Sequence, residues 1–298
     1  MGHEASGTIL SVGNSVNHLK PGDKVAIEPG FPCSRCVDCR AGSYNLCPDM
    51  AFAASPGPGP QTHGTLTTGG YRLPAEFCYK LPAHVSLDEA VLVEPLAVAV
   101  HSVRQGNVKP GNSVVVFGAG TVGLLCAAVA AQYGASKVVS VDINTSRLEF
   151  AASFASTGTW KAEAGMSPEE NAKRIIAKFD LGRGANVVID ASGAEPSVQT
   201  GIHVARQGAT YVQTGFGKPV VAFPLTAMGE KELTVKGCFR YGPGDFDLAV
   251  ESLRMRRIDV KQLITKVVDF EKVTEAWETT RRGEGIKTLI RVTPEMSA

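Results

Sequence analysis

Apolar positions along the chain show two textures, and the change between them falls near residue 97. Up to about Pro95, short Val and Ile runs are separated by turn dipeptides such as Pro21-Gly22, which predicts a mostly β unit. From Ser113 onward, strand-like and helix-like stretches alternate: Val114 to Phe117, Val122 to Tyr133, Lys137 to Val141, Thr145 to Phe154. That βαβα order predicts an α/β domain, a parallel sheet with helices on its faces. Strands at Val187 to Asp190, Thr210 to Gln213 and Leu233 to Val235, with helices at about Pro168 to Phe179 and Pro196 to Val204, complete a doubly wound sheet. Helices Phe246 to Met255 and Val273 to Arg281 and a closing strand Thr288 to Val292 are expected to return to the first lobe or to form a hinge.

Length agrees with two lobes, because 298 residues exceed the roughly 250 that one core usually organises. Ser55 to Gly70 holds too few large apolar side chains to pack and is expected to be a loop. The apolar stretch Val114 to Ala131 is long enough to raise a membrane span. Gly118, Gly120, Thr121 and Gly123 break it, so it predicts a buried strand followed by a buried helix. A formal charge of +1 gives no electrostatic reason to expect nucleic acid or an anionic membrane as partner, which leaves a small molecule. No basic and apolar leader opens the sequence, so the cytoplasm is the expected compartment and disulfides are not the default for the seven cysteines.

Gly118-Ala119-Gly120-Thr121-Val122-Gly123 follows a four-residue apolar strand and opens a helix, the context in which a glycine pattern reads as a dinucleotide site. Gly118 permits the tight turn, Gly120 lets the backbone approach a pyrophosphate, and Gly123 lets helix and strand pack closely. The helix N-terminus adds free N–H donors and a positive dipole. Nineteen residues after Gly123, at the end of the next strand, Asp142 is placed to accept hydrogen bonds from both adenosine-ribose hydroxyls. A 2′-phosphate would meet like charge there, so NAD is expected over NADP, with Arg147 inside the following helix. The competing reading makes the glycines packing residues and Asp142 the cap of the next helix.

Cys33, Cys36, Cys39 and Cys47 form C-x2-C-x2-C-x7-C, four thiols within fifteen residues that suit one tetrahedral Zn2+ of the closed, structural kind. Spacing alone also permits an iron–sulfur cluster or a redox dithiol. Cys78, Cys126 and Cys238 stand apart and are expected to be buried small hydrophobes.

On residue type alone His3, Glu4 and Glu94 carry little: a His-Glu pair is usually surface, and a Glu before Pro is usually a cap. Together, however, Gly2-His3-Glu4-Ala5-Ser6-Gly7, Pro21-Gly22-Asp23-Lys24-Val25-Ala26, the cysteine loop, Glu94-Pro95-Leu96 and the glycine motif resemble the zinc-containing medium-chain dehydrogenase/reductases over essentially the whole chain. Val25-Ala26-Ile27-Glu28-Pro29-Gly30, Phe77-Cys78-Tyr79-Lys80-Leu81-Pro82 and Gly237-Cys238-Phe239-Arg240-Tyr241 are similar to the sorbitol and xylitol dehydrogenase branch, the fungal-type xylitol dehydrogenases above all.

The resemblance implies a GroES-like catalytic lobe over residues 1–97 and again over 237–298, with a Rossmann NAD-binding domain over 98–236 between them. It implies a catalytic zinc held in part by His3 and Glu4, with Glu94 nearby, and a structural zinc on Cys33, Cys36, Cys39 and Cys47. Arg240 and Tyr241 match positions that face polyol and nicotinamide; Gly118, Gly120, Val122, Gly123, Asp142, Arg147, Phe239 and Arg240 match cofactor contacts. Family members carry several dozen residues before Gly-His-Glu, with the first zinc-ligand cysteine among them, so the resemblance implies that the first lobe is incomplete at its N-terminus. The implied reaction is zinc-dependent oxidation of a polyol by hydride transfer to NAD, xylitol to D-xylulose or sorbitol to fructose, reversible to the ketose, in a homo-oligomer, tetramer or dimer. The alternative is a non-catalytic NAD- and zinc-binding homologue.

Overall fold

The computed structural model describes residues 1–55, 64–67, 70–163 and 165–292. Much of the expected loop over 55–70 therefore lies outside the described residues. The chain forms two compact units, Met1–Ala97 with Arg240–Ala298, and Val98–Phe239. The second crossing lies between Phe239 and Arg240, and just before it Cys238 donates its backbone N–H to Gln213 of the sheet.

In the first unit, strands Ala5–Thr8, Lys24–Ile27 and Cys78–Lys80 form an antiparallel sheet with Lys24–Ile27 in the middle. Val25 and Ile27 alternate with Ala26 along the pleat and meet Leu19 and Cys78 in a small core. Two further pairs complete the described strands of this unit: Gly30–Phe31 with Ala51–Phe52, and Ile264–Asp269 parallel to Lys287–Arg291. Glu94 and Pro95 lie in the first turn of helix Val93–Gln105. Proline is tolerated there because its missing N–H would have no helical acceptor.

The second unit is a six-stranded parallel sheet. Its order is Gly158–Lys161, Lys137–Asp142, Ser113–Phe117, Ala185–Asp190, Ala205–Gln213, Thr234–Gly237, which in chain order is 3-2-1-4-5-6, the Rossmann arrangement. Val114, Val115 and Val116 are fully buried, as expected of a strand covered by helices on both faces. Helix Thr121–Gln132 buries every residue from Gly123 to Ala130. Strand Gly158–Lys161 was not predicted. It sits at the sheet edge, half-buried, and its four residues carry no apolar run. The last strand runs Thr234–Gly237 rather than Leu233 to Val235. Among the described residues no helix is long and apolar enough to cross a membrane.

Candidate active site

The turn after Ser113–Phe117 has Gly118 at φ +91°, a conformation that favours glycine. A Cβ on Gly123 would collide with the carbonyl oxygen of Gly118, so the helix can sit this close to the turn only without one. Asp142 ends the neighbouring strand and is tied to the same turn: Oδ2 accepts the backbone N–H of Ala119 at 2.6 Å, and Oδ1 accepts that of Asn144 at 2.8 Å. The next helix is capped by Asn144, whose side chain accepts the N–H of Arg147. Asp142 is therefore not that helix's cap. Val122 and Arg147 are partly exposed in the first turns of their helices. Phe239, 42% exposed, packs edge-on against Phe216 at 6.3 Å. Arg240 belongs to the other unit.

In the first unit, the sulfurs of Cys33, Cys36, Cys39 and Cys47 all lie within 4.8 Å of one another. Tetrahedral zinc at about 2.3 Å from each sulfur sets S···S edges of about 3.8 Å, so the donor set fits that ion with little movement. Backbone N–H groups already point at the sulfurs: Cys33 donates to Cys47 Sγ at 3.3 Å, Cys36 to Cys33 Sγ at 3.3 Å, and Cys39 to Cys36 Sγ at 3.4 Å. Backbone donation, led by Arg35, lowers the Cys33 thiol to about 7, whereas burial pushes Cys39 up to about 12. One thiolate is thus favoured at Cys33, while burial makes Cys39 and Cys47 resist ionisation, an opposition that a divalent metal among the sulfurs would relieve. The four cysteines are an organised metal cradle. Cys78, Cys126 and Cys238 are buried thiols outside it.

His3, Glu4 and Glu94 come from the start of the chain and the Val93–Gln105 helix, and their ligand atoms also fall within 4.8 Å of one another. Glu94 is 6% exposed, and burial pushes its carboxyl up to about 8, with Arg240 opposing the shift. Desolvation first, then the charges of Lys287 and Arg240, lower His3, which keeps the imidazole in the neutral form that ligates metals. One neutral imidazole and two carboxylates are a suitable hard-to-borderline donor set for Zn2+. Lys287, from the closing strand, forms an ion pair with Glu4, and burial pushes its ammonium down to about 8. Phe52 packs on His3 with ring centroids 5.5 Å apart, and the Arg240 guanidinium lies 4.0 Å over the Phe52 ring. Arg240 holds a positive φ of 58°, a conformation strained for a side-chain-bearing residue.

Behind this group lies a buried polar cluster in which sequence reasoning assigns a role to Tyr241 alone. Glu28, 1% exposed, accepts hydroxyl hydrogen bonds from Tyr44 and Tyr79, both at 2.7 Å. Tyr241 is 2% exposed and its hydroxyl has no hydrogen-bond partner among the described residues. Burial, then the charges of Glu94 and Glu28, raise it far above the usual phenol range. The sequence signals for Glu28 are its place in Val25-Ala26-Ile27-Glu28-Pro29-Gly30 and a charge ending an apolar run; Lys287 carries none.

A two-unit chain with a Rossmann sheet, a four-cysteine cradle and a separate His/Glu group defines a class: the chain belongs to the zinc-containing medium-chain dehydrogenase/reductases. Residues 121–254 match the zinc-binding dehydrogenase family and residues 1–83 the alcohol dehydrogenase GroES-like domain. D-xylulose reductase A of Aspergillus niger is 57% identical over 290 residues, 97% of this chain and 79% of the relative. Among solved structures, an oxidoreductase/dehydrogenase of Escherichia coli superposes with a TM-score of 0.88 at 32% identity, covering 97% of this chain and 81% of that one. L-idonate 5-dehydrogenase of E. coli superposes at 0.86 with 25% identity, with the same shares covered. The chain is an NAD-dependent oxidoreductase with candidate structural and catalytic zinc sites.

Proposed function

We propose that this protein oxidises a polyol, xylitol to D-xylulose or sorbitol to fructose, and reduces the ketose in reverse. The observation that carries the reading is the convergence of His3, Glu4 and Glu94 within 4.8 Å, in a chain 57% identical to a protein named D-xylulose reductase A. When bound, zinc supplies the Lewis acidity that a secondary alcohol needs to release its proton, and NAD accepts the carbinol hydride.

The chain's own residues divide the remaining work. His3 and Glu4 are the proposed catalytic-metal ligands, and Glu94, whose carboxyl burial pushes up to about 8, is the reserve carboxylate of the group. Arg240 and Tyr241 stand beside them and are proposed to orient the polyol hydroxyls; a buried hydroxyl without a partner is a place where a ligand's polar group is worth most. Gly118, Gly120, Val122 and Gly123 are proposed to receive the pyrophosphate, Asp142 and Arg147 the adenosine end, and Phe239 and Arg240 the nicotinamide end. Residues 1–97 with 240–298 are proposed as the catalytic lobe and 98–239 as the NAD-binding domain. The working form is proposed to be a homo-oligomer.

Zinc per chain, with NADH absorbance on xylitol and sorbitol from the same preparation, tests the proposal. Two zincs with turnover are expected. One zinc, NAD binding and no turnover would overturn the enzyme reading in favour of a non-catalytic NAD- and zinc-binding protein.

A further inference from the structure

Asp190 ends the strand next to Ser113–Phe117, at the point where the sheet order reverses, and is fully buried. A carboxylate there costs several kcal/mol unless its lone pairs are filled, and an apolar residue of similar size would serve packing better. The polar choice therefore calls for a geometric reason. Oδ1 accepts the backbone N–H of Ser192 at 2.7 Å, its hydroxyl at 2.8 Å and the backbone N–H of Gly193 at 2.9 Å, while Oδ2 faces the Tyr211 hydroxyl at 3.3 Å. The side chain thus folds the turn Ala191 to Ala194 around itself, and the Asp190 carbonyl takes the N–H groups of Thr214 and Gly215 from the next turn.

Three turns interlock around that carboxylate with backbone against backbone. A Cβ on Gly118 would lie 3.1 Å from the Ser192 nitrogen. One on Gly215 would lie 2.5 Å from the Ala191 carbonyl carbon, and one on Gly193 would lie 2.5 Å from that of Phe216. The turn that Asp190 holds is therefore pressed directly on the glycine turn proposed to receive the pyrophosphate. In this sheet topology a dinucleotide crosses the reversal point with one mononucleotide on each side. Asp142 marks the adenosine side; the turns after Ala185–Asp190 and Ala205–Gln213 mark the other.

We infer that Asp190 is a positioning residue for the nicotinamide half of the dinucleotide, acting through the shape it imposes on the turn Ala191 to Ala194. The inference rests on the NAD reading. What matters in it is an acceptor at Oδ1: the side-chain amide oxygen of the D190N variant would take the same three donors, and the amide N–H beside it has the Tyr211 hydroxyl oxygen to reach.

Fluorescence titration with NADH and calorimetric titration with AMP, on the full chain, test it. For D190A we expect the NADH Kd to rise at least tenfold and the AMP Kd to stay within twofold, with D190N within threefold of the parent for both. A loosened sheet end would weaken AMP and NADH alike, so an equal loss for both overturns the inference, as does unchanged NADH binding or a D190N as weak as D190A. Should D190A fail to fold, Gly193→Ala keeps the carboxylate and forces the turns apart; the same NADH-selective loss is expected, and its absence is equally decisive. A parent protein that binds neither nucleotide overturns the NAD reading and the inference with it, whereas one that binds both, beside an unaffected D190A, overturns the inference alone.

Discussion

Tyr44 donates its hydroxyl to Glu28 across 2.7 Å, and Tyr44 is carried on the cysteine loop between Cys39 and Cys47. The loop that cradles the four thiols therefore also supplies half of the hydroxyl donors that hold a buried carboxylate, the other half coming from Tyr79. A metal held by the four cysteines would therefore be mechanically linked to order at Glu28.

Removing that metal should release the loop, because its residues build no core of their own: Leu46 is exposed and, of Tyr44, Asn45 and Leu46, only Asn45 is buried. Cys47→Ser, or extraction with a strong chelator, is expected to lose one zinc per chain and to lower Tm by more than about 10 °C. Structural zinc contributes on the order of 10–16 kcal/mol in isolated zinc-finger peptides, so even a fraction of that is visible. Elemental analysis and thermal melts on the same samples check it; an unchanged Tm after zinc loss would refute the linkage.

Tyr44→Phe leaves the ring in place and deletes one donor to a buried carboxylate. Hydrogen bonds to charged groups contribute about 1.5–3 kcal/mol, and a loss of that size should appear as a lower urea midpoint with an unchanged slope. Tyr79→Phe should cost a similar amount, and the double variant less than the sum, since Glu28 can protonate once both donors are gone.

The pH dependence of Glu28 has a definite sign. Burial, partly offset by Tyr44 and Tyr79, raises its folded pKa above the unfolded value. Its contribution to stability is therefore complete below the ordinary carboxylate pKa and declines as pH rises through the raised folded value. Glu28→Gln should flatten the stability profile on that rising-pH side, measured by urea melts at a series of pH values. An unchanged slope would mean that Glu28 titrates as it does in the unfolded chain.

Lys287 is paired with Glu4 and lies near His3. A buried positive charge opposes a second cation, and at short range in a protein interior the Coulomb term is worth several kcal/mol before screening. Lys287→Met is expected to tighten zinc at His3, Glu4 and Glu94 by at least about tenfold in chelator competition, leaving the cysteine-bound zinc unchanged. Weaker zinc binding in the variant would show instead that Lys287 holds Glu4 in its ligating position.

Asp142→Ala should raise the NADH Kd at least about tenfold and reduce the preference over NADPH. The variant loses both the carboxylate that a 2′-phosphate would meet and the acceptor that fastens Ala119 at 2.6 Å. Fluorescence titration with both cofactors measures the ratio; an unaltered ratio would remove Asp142 from cofactor selection.

Much of this protein was legible in the order of its residues. The glycine motif, the strand before it, the helix after it and Asp142 all lie within 30 residues, from 113 to 142, and the four cysteines within fifteen, so short-range spacing determined both. The central strands Ser113–Phe117, Lys137–Asp142 and Ala185–Asp190 were legible because burial on both faces writes them as nearly continuous apolar runs, whereas Gly158–Lys161 is an edge strand that lacks this signature. The long-range pairs were not legible: Glu4 with Lys287, Arg240 over Phe52, Tyr79 with Glu28, and the turn of Asp190 against Gly118. Each joins residues far apart along the chain, and a motif at one position does not name its distant partner, because their meeting depends on strand order and loop paths set by the packing of the whole unit. The sequence by itself determined which local pieces could bind a dinucleotide and a metal. Only the tertiary structure decided which buried charges and hydroxyls stand behind them, because desolvation and hydrogen bonding act on groups that are close in space, whatever their separation along the chain.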